Sequence, residues 1–212
     1  MSIVIPAYNE EAFIEKLLEK VLSVDTESIG FKKEIIVVDD CSRDKTFERA
    51  CQFKEVKVFK MPKNMGKGAA VQHGIAQSQG NYVLVQDADL EYNPDDYIPM
   101  LKALGPGKSV YGSRVMKTIQ ESGPGLFCSK HKEQQFGPWL AGRFLSIWAF
   151  FFFRTWISDT LTAYKIYPTD ILRKFQVKTN GFETDHELTA KLIKSKIEII
   201  EVPIDYIPRT VE

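Results

Sequence analysis

The chain carries no net charge, because 28 lysines and arginines balance 28 aspartates and glutamates across its 212 residues. A protein-wide basic surface for nucleic acid is thereby excluded, and any electrostatic specialisation must be local. Cysteine is scarce. Cys41, Cys51 and Cys128 are odd in number and match neither a C-x-x-C pair nor any other close-set zinc spacing, so reduced thiols in a cytosolic setting are expected. His73, His131 and His186 show no ligand spacing and read as surface residues or supports behind a site. A long apolar run is also missing. The uncharged stretch Phe144–Phe153, between Arg143 and Arg154, has 10 residues, whereas a spanning helix needs roughly 20. The N-terminus has no basic n-region and meets Glu10 and Glu11 after few apolar residues, so it does not read as a signal peptide.

What is present is an ordinary globular composition, 44% hydrophobic and 26% charged, suited to a single domain over 1–212. Ser2–Ile5, Glu34–Val38, Val56–Phe59 and Tyr82–Val85 read as buried strands. Between the first two, Ile14, Leu17, Leu18, Val21 and Leu22 form the apolar stripe of a helix lying on a sheet. Asp44–Phe53 and Gly68–Ser78 are further helices, and Asn93 with Pro94, Asp95 and Asp96 reads as a capped helix start. This alternation predicts an α/β fold, a mainly parallel sheet with helices on both faces. In the second half, residues from Gly112 to about Pro138 read as a long loop or insertion. Helix returns over Glu183–Lys194, and a last strand over Ile197–Val202.

Ligands of open parallel sheets bind beyond the carboxyl ends of the strands. Here those ends are polar: Pro-Ala-Tyr-Asn-Glu10 follows the first strand, Asp39-Asp40 the second, and Gln86-Asp87-Ala88-Asp89-Leu90-Glu91 the fourth. Several carboxylates would converge on one rim and repel one another unless a divalent cation relieves them. Asp87, Asp89 and Glu91 are hard oxygen donors that suit Mg²⁺ or Mn²⁺ rather than Zn²⁺. Asn64-Met-Gly66-Lys67-Gly68 lies between a strand and a helix, where backbone N–H groups and Lys67 suit a phosphate. It is neither a Walker A loop nor the dinucleotide fingerprint, since Met61 and Val71 stand where those motifs need glycine. A phosphoryl-accepting receiver would need a lysine at a further strand end, and Ser109–Arg114 offers none. An aspartyl-phosphate hydrolase would need Thr or Val where Glu91 stands.

Taken together, Ser2-Ile-Val-Ile-Pro-Ala-Tyr-Asn-Glu10, Val37-Val-Asp39-Asp40, Asn64-Met-Gly-Lys-Gly-Ala-Ala70, Asp87-Ala-Asp89-Leu90 and Gly112-Ser-Arg114 resemble family 2 glycosyltransferases of the GT-A fold. Asp159–Lys165, Gly181–Leu188 and Glu201–Arg209 resemble the polyprenyl-phosphate members of that family, of the dolichyl-phosphate mannose synthase type. The resemblance implies a nucleotide-sugar half over 1–113 and an acceptor half over 114–212. It implies that Pro6, Tyr8 and Glu10 line the nucleotide pocket, and that Asp39 or Asp40 reads the base or ribose. Asp87 and Asp89 would be the DxD pair holding the metal on the donor diphosphate. Glu91 would be a further ligand where such synthases often have glutamine. Arg114 and Lys165 would face the acceptor phosphate, with Lys165 in place of a common arginine, and Asp185 or Glu183 would lie beside the acceptor.

The implied chemistry is transfer of a hexose, with inversion, from a nucleoside diphosphate sugar such as GDP-mannose or a UDP-sugar. A lipid phosphate acceptor is already an anion and needs orientation rather than a strong base; a sugar hydroxyl would need Asp185 or Glu183 to remove its proton. The alternatives are thus a hydroxyl-directed polysaccharide transferase and a nucleotide-binding regulatory module without turnover. Arg114 to Arg154 favours the lipid: Arg114, Lys117, Lys130, Lys132, Arg143 and Arg154 face only Glu121 and Glu133. Trp139, Trp148 and Trp156 bracket a phenylalanine cluster that includes Phe151 and Phe152. Such an element suits an anionic membrane surface, and predicts peripheral association with the cytosolic face.

Overall fold

The protein is seen in a computed structural model that describes residues 1–122 and 155–208. The expected membrane-facing segment from Trp139 to Phe153, with Arg143 and Arg154, lies outside the described residues, as do Cys128 and His131. Strands β1 (Ser2–Ala7), β2 (Glu34–Asp39), β3 (Val56–Lys60) and β4 (Tyr82–Val85) alternate with helices α1 (Ile14–Ser23), α2 (Thr46–Ala50) and α3 (Lys67–Gln77). Then come α4 (Tyr97–Lys102), β5 (Ser109–Ser113), α5 (Arg114–Ser122), β6 (Lys165–Pro168), α6 (Thr169–Leu172), α7 (Thr184–Lys194) and β7 (Ile199–Pro203).

The strands form one sheet in the order β3-β2-β1-β4-β6-β5-β7. Strands β1, β2 and β4 are buried on both faces because helices cover both sides, whereas β3 at the edge carries Lys57 and Lys60 toward solvent. Ile3, Ile5, Ile35 and Val37 pack with Leu17, Leu18 and Val21 of α1. On the other face Val4, Val83 and Val85 meet Val71 and Ile75 of α3 and Leu188 and Leu192 of α7. The expected helix-covered, mainly parallel sheet is therefore present.

Two features differ from the sequence reading. Gly112 and Ser113 complete β5, and Arg114–Ser122 is helical rather than loop. Met116, Lys117, Gln120 and Glu121 are strong helix formers, Thr118 Oγ1 donates to the Arg114 carbonyl at 2.9 Å, and Lys117 faces Glu121 one turn on. The second is β6, which runs antiparallel between β4 and β5, with Val85 opposite Lys165. This inversion brings the chain entering β6, residues 159–164, to the rim where β4 leaves with Asp87.

The opposite end of the sheet is tied by Glu34. Its carboxylate accepts from Ser2 Oγ, from the backbone N–H groups of Gln79 and Gly80, and from Lys57 Nζ at 2.9 Å. Partial burial alone would raise its pKa, but these donors outweigh burial and bring it to about 2. A depressed carboxylate stabilises the fold above its unfolded pKa and loses that contribution as pH falls, here between about 4.5 and 2. After solvent screening, Glu34→Gln should cost about 1–2 kcal/mol at pH 7 and much less at pH 2.5. Equal losses at both pH values in urea titrations would refute this.

Candidate functional site

Two cavities open at the rim formed by the carboxyl ends of β1, β2, β4 and β5. The first, of about 430 Å³, is lined by Pro6, Tyr8, Glu10, Asp40, Lys67, Asp87 and Asp89, together with Asn64, Gly66, Ala70 and Phe182. The second, of about 380 Å³, is lined by Glu91, Tyr92, Arg114, Thr160, Leu161, Glu183, Asp185, His186 and Tyr206. Lys67, Asp87 and Phe182 belong to both. Seven residues singled out from the sequence thus meet in one cavity, and Glu91, Arg114, Glu183 and Asp185 in its neighbour.

Close packing between distant segments builds the shared wall. Gly66 has φ of +95°, and a Cβ there would lie 2.6 Å from the Asn180 carbonyl oxygen; at Gly68 it would lie 1.9 Å from Thr184 Oγ1. Only glycine lets the start of α3 approach the turn before α7 this closely. The same contact engages part of the loop expected to cradle a phosphate. Gly66 N–H donates to Asp40 Oδ2 at 2.7 Å, and Ala69 N–H to the Asn180 carbonyl at 3.0 Å. These two amides are engaged within the protein, and the Lys67 ammonium adds the cationic charge of this loop.

Lys67 Nζ lies 2.5 Å from Asp87 Oδ1. Burial works against its charge, but Asp87, Asp185 and Asp89 outweigh burial and raise its pKa. Asp89 Oδ1 accepts from the Glu91 N–H at 3.1 Å, while Glu91 Oε2 accepts from Tyr206 OH at 2.9 Å. Among the described residues, no three acid, histidine or cysteine side chains are grouped to hold an ion by themselves. Mg²⁺ commonly takes one or two carboxylates and completes its shell with phosphate oxygens and water. Asp87 and Asp89 supply hard oxygens facing one cavity, and Lys67 shows that cationic charge is stable beside them.

Asp39 and Asp40 part company. Asp40 lines the first cavity, its Oδ1 accepting from Met65 N–H at 2.8 Å and its Oδ2 from Gly66 N–H. Asp39 is fully buried; Oδ2 accepts from Ser42 N–H at 3.1 Å, and Oδ1 has no hydrogen-bond partner among the described residues. Asp40→Ala should weaken binding of free nucleoside diphosphate about tenfold without metal, because it frees the 64–66 turn that walls the cavity. Unchanged affinity by calorimetry would count against that role.

Arg114 and Lys165, both expected to face an acceptor phosphate, differ sharply. Arg114 donates through Nε and Nη2 to the two oxygens of Asp159, at 2.7 and 2.8 Å, and lies 4.9 Å from the Tyr206 ring. Burial opposes its charge, yet Asp159 more than offsets burial. Lys165 lines neither cavity. It is fully buried, with Nζ 3.4 Å from the Thr160 carbonyl and 5.1 Å from the Tyr111 ring centre. Burial lowers its pKa, and Lys67 and Arg114 push the same way against Asp185 and Asp159.

The sequence alone suggested no role for Tyr92, Thr160, Tyr206 or the 77% exposed Phe182, and His186, expected on the surface or behind a site, lines the second cavity. Burial, assisted by Lys165, lowers the His186 pKa against the pull of Asp185, so the imidazole is neutral at pH 7. The available signal was position: Phe182 and His186 flank the quoted acids Glu183 and Asp185.

Comparison with known proteins decides the family. The sequence profile described as glycosyl transferase family 2 matches residues 2–174. The chain belongs to that family. Among curated relatives of this family 2 chain, a dolichol-phosphate mannosyltransferase of Pyrococcus furiosus is 35% identical over 121 residues, covering 55% of the chain and 34% of the relative. A dolichyl-phosphate beta-glucosyltransferase of Saccharomyces cerevisiae is 29% identical over 225 residues, covering 97% and 66%. The chain thus spans about a third of the first relative and two thirds of the second. Its fold matches mannosyl-3-phosphoglycerate synthase from Rubrobacter xylanophilus with a TM-score of 0.72 at 17% identity, covering 99% of the chain and 67% of that structure. The glucosyl-3-phosphoglycerate synthase of Mycobacterium tuberculosis, solved with UDP, gives 0.69 at 20%, covering 99% and 72%. The GT-A architecture expected of this family is the one observed. Among the described residues no helix is long and apolar enough to cross a membrane.

Proposed function

We propose that this chain transfers a hexose from a nucleoside diphosphate sugar to a polyprenyl phosphate. The donor half is 1–113 and the acceptor half 114–212, within one domain. The observation that carries the reading is the pair of adjoining cavities sharing Lys67 and Asp87. A donor in the first would present its anomeric carbon, across that wall, to an acceptor in the second. Curated relatives named as dolichyl-phosphate and undecaprenyl-phosphate transferases support the acceptor class.

Asp87 and Asp89 would hold Mg²⁺ or Mn²⁺, the ions present with UDP in related solved structures. When bound, such an ion offsets the negative charge that develops on the leaving diphosphate. Lys67 lies at the same boundary and would neutralise the diphosphate oxygens nearest the sugar. Arg114, charged and oriented by Asp159, would draw the lipid phosphate into the second cavity. The exposed Leu161 and Phe182 would meet the first isoprene units. Peripheral docking on the cytosolic membrane face, through the region from Trp139 to Trp156, completes this reading.

One observation favours a second acceptor class. Glu183 and Asp185 line the second cavity, and Arg114 is already paired, which suits a sugar hydroxyl deprotonated by a carboxylate. The test is a screen of GDP- and UDP-sugars with Mn²⁺ or chelator, followed by turnover with a short polyprenyl phosphate in detergent or a soluble sugar. Metal-dependent label in the lipid extract is expected. Transfer only to a soluble hydroxyl, abolished by Asp185→Asn, would replace the lipid reading.

A further inference from the structure

Behind Asp87 lies a buried polar cluster centred on Gln86. Gln86 is fully buried at the end of β4, and its backbone N–H donates to the Val4 carbonyl at 3.0 Å, continuing the β1–β4 ladder by one bond. Its side-chain oxygen accepts from two phenols, Tyr97 OH at 2.6 Å and Tyr164 OH. Its side-chain amide donates to the Asp87 carbonyl at 2.9 Å. The orientation is unambiguous, because only the nitrogen end can face a carbonyl oxygen. Tyr164 is further held by stacking on Tyr92, with ring centres 4.7 Å apart, and Tyr92 OH accepts from the Ala163 N–H. Tyr97 belongs to α4, and Tyr164 precedes β6.

We infer that Gln86 is a positioning residue that sets the direction in which the chain carries Asp87 and Asp89 into the donor cavity. The inference rests on the reading above, in which those two carboxylates hold the divalent cation on the donor diphosphate. The Asp87 carbonyl belongs to the peptide joining Asp87 to Ala88, so a hydrogen bond to it restrains ψ of Asp87. Everything downstream, Asp89 included, swings with that angle. Few side chains can do this. The position needs two lone pairs for the phenols and an N–H for the carbonyl, all without charge in a site closed to water. A methionine of similar length would strand both phenols and release the carbonyl. A glutamate would keep the phenols but, once ionised, would turn a negative oxygen toward the Asp87 carbonyl.

The experiment measures Mn²⁺ binding by electron paramagnetic resonance and by calorimetry, with UDP and with GDP. It uses the unaltered chain, Gln86→Met, Gln86→Glu, Tyr97→Phe and Asp89→Ala, each with its melting temperature recorded. Loss of support behind a metal ligand typically costs 10–100-fold in metal affinity, and that range is expected for Gln86→Met. Tyr97→Phe keeps the ring and the second phenol, so a few-fold loss is expected. Gln86→Glu is expected to bind at least tenfold more weakly than the unaltered chain at pH 8. A purely structural role would lower melting temperatures and leave the affinity of the folded protein unchanged. If Gln86→Met and Gln86→Glu both bind within twofold of the unaltered chain at pH 8, while Asp89→Ala loses tenfold or more, Gln86 does not position the pair. If Asp89→Ala binds like the unaltered chain, or the unaltered chain binds neither nucleotide with Mn²⁺, the donor-site reading fails and takes this inference with it.

Discussion

Asp89→Ala is expected to reduce sugar transfer at least about 10³-fold while leaving the fold intact, since it would remove one of the two carboxylates proposed to hold the donor's divalent cation. Asp89 is partly exposed at the cavity, where it accepts a local hydrogen bond from Glu91 N–H. Stability should therefore change by less than about 1 kcal/mol. The measurement is turnover under saturating Mn²⁺ beside a thermal melt. Full activity of the unaltered chain in excess chelator would falsify the assignment of this pair to a metal.

Asp159→Ala is expected to be the most destabilising single change at the acceptor side. The carboxylate is 5% exposed and holds the 20% exposed Arg114 side chain by two short bonds. Breaking a buried pair from one side leaves an uncompensated charge and typically costs 3–5 kcal/mol. The partial exposure of Arg114 points to the lower end, about 3 kcal/mol. Asp159 is itself held by Glu201 of β7, which accepts from the N–H groups of Ser158 and Asp159, so collapse of the pair would loosen the whole 158–160 turn. Adding Arg114→Met to Asp159→Ala should recover much of the lost stability, without restoring transfer to a lipid phosphate. A loss below about 1 kcal/mol in denaturant titrations would show that water reaches Arg114 and compensates it.

Much of the fold was legible because its signals are local. Ile3–Ile5, Ile35–Val38 and Tyr82–Val85 are short, largely β-branched apolar runs, as strands covered on both faces require. The stripe Ile14-Leu17-Leu18-Val21 could serve only a helix against such a sheet. β6, Lys165-Ile-Tyr-Pro168, carries no comparable signal. It has four residues ending in proline, and becomes a strand only because β4 and β5 offer edges on either side. Helix α5 was missed because it is short and mostly polar, with only Val115, Met116 and Ile119 apolar, and runs straight into the glycine- and proline-bearing stretch from Gly123.

The site divides along the same line. Pro6, Tyr8, Glu10, Asp40, Asp87 and Asp89 were visible because each follows directly on a strand the sequence reveals, and the carboxyl ends of parallel strands share a rim. Side-chain direction was not visible. Lys165 pairs with Val85 across an antiparallel ladder, and that register turns its ammonium into the interior rather than toward a cavity.

By itself, then, the sequence determined the alternation of strands and helices and the acidic rim, both consequences of local periodicity and chain order. Tertiary structure alone decided the inversion of β6, the burial of Lys165, the engagement of Arg114 by Asp159, and the meeting of two cavities at Lys67 and Asp87. Each of these depends on register and packing between segments dozens of residues apart. Such contacts form only when the whole sheet closes, and no local pattern encodes them.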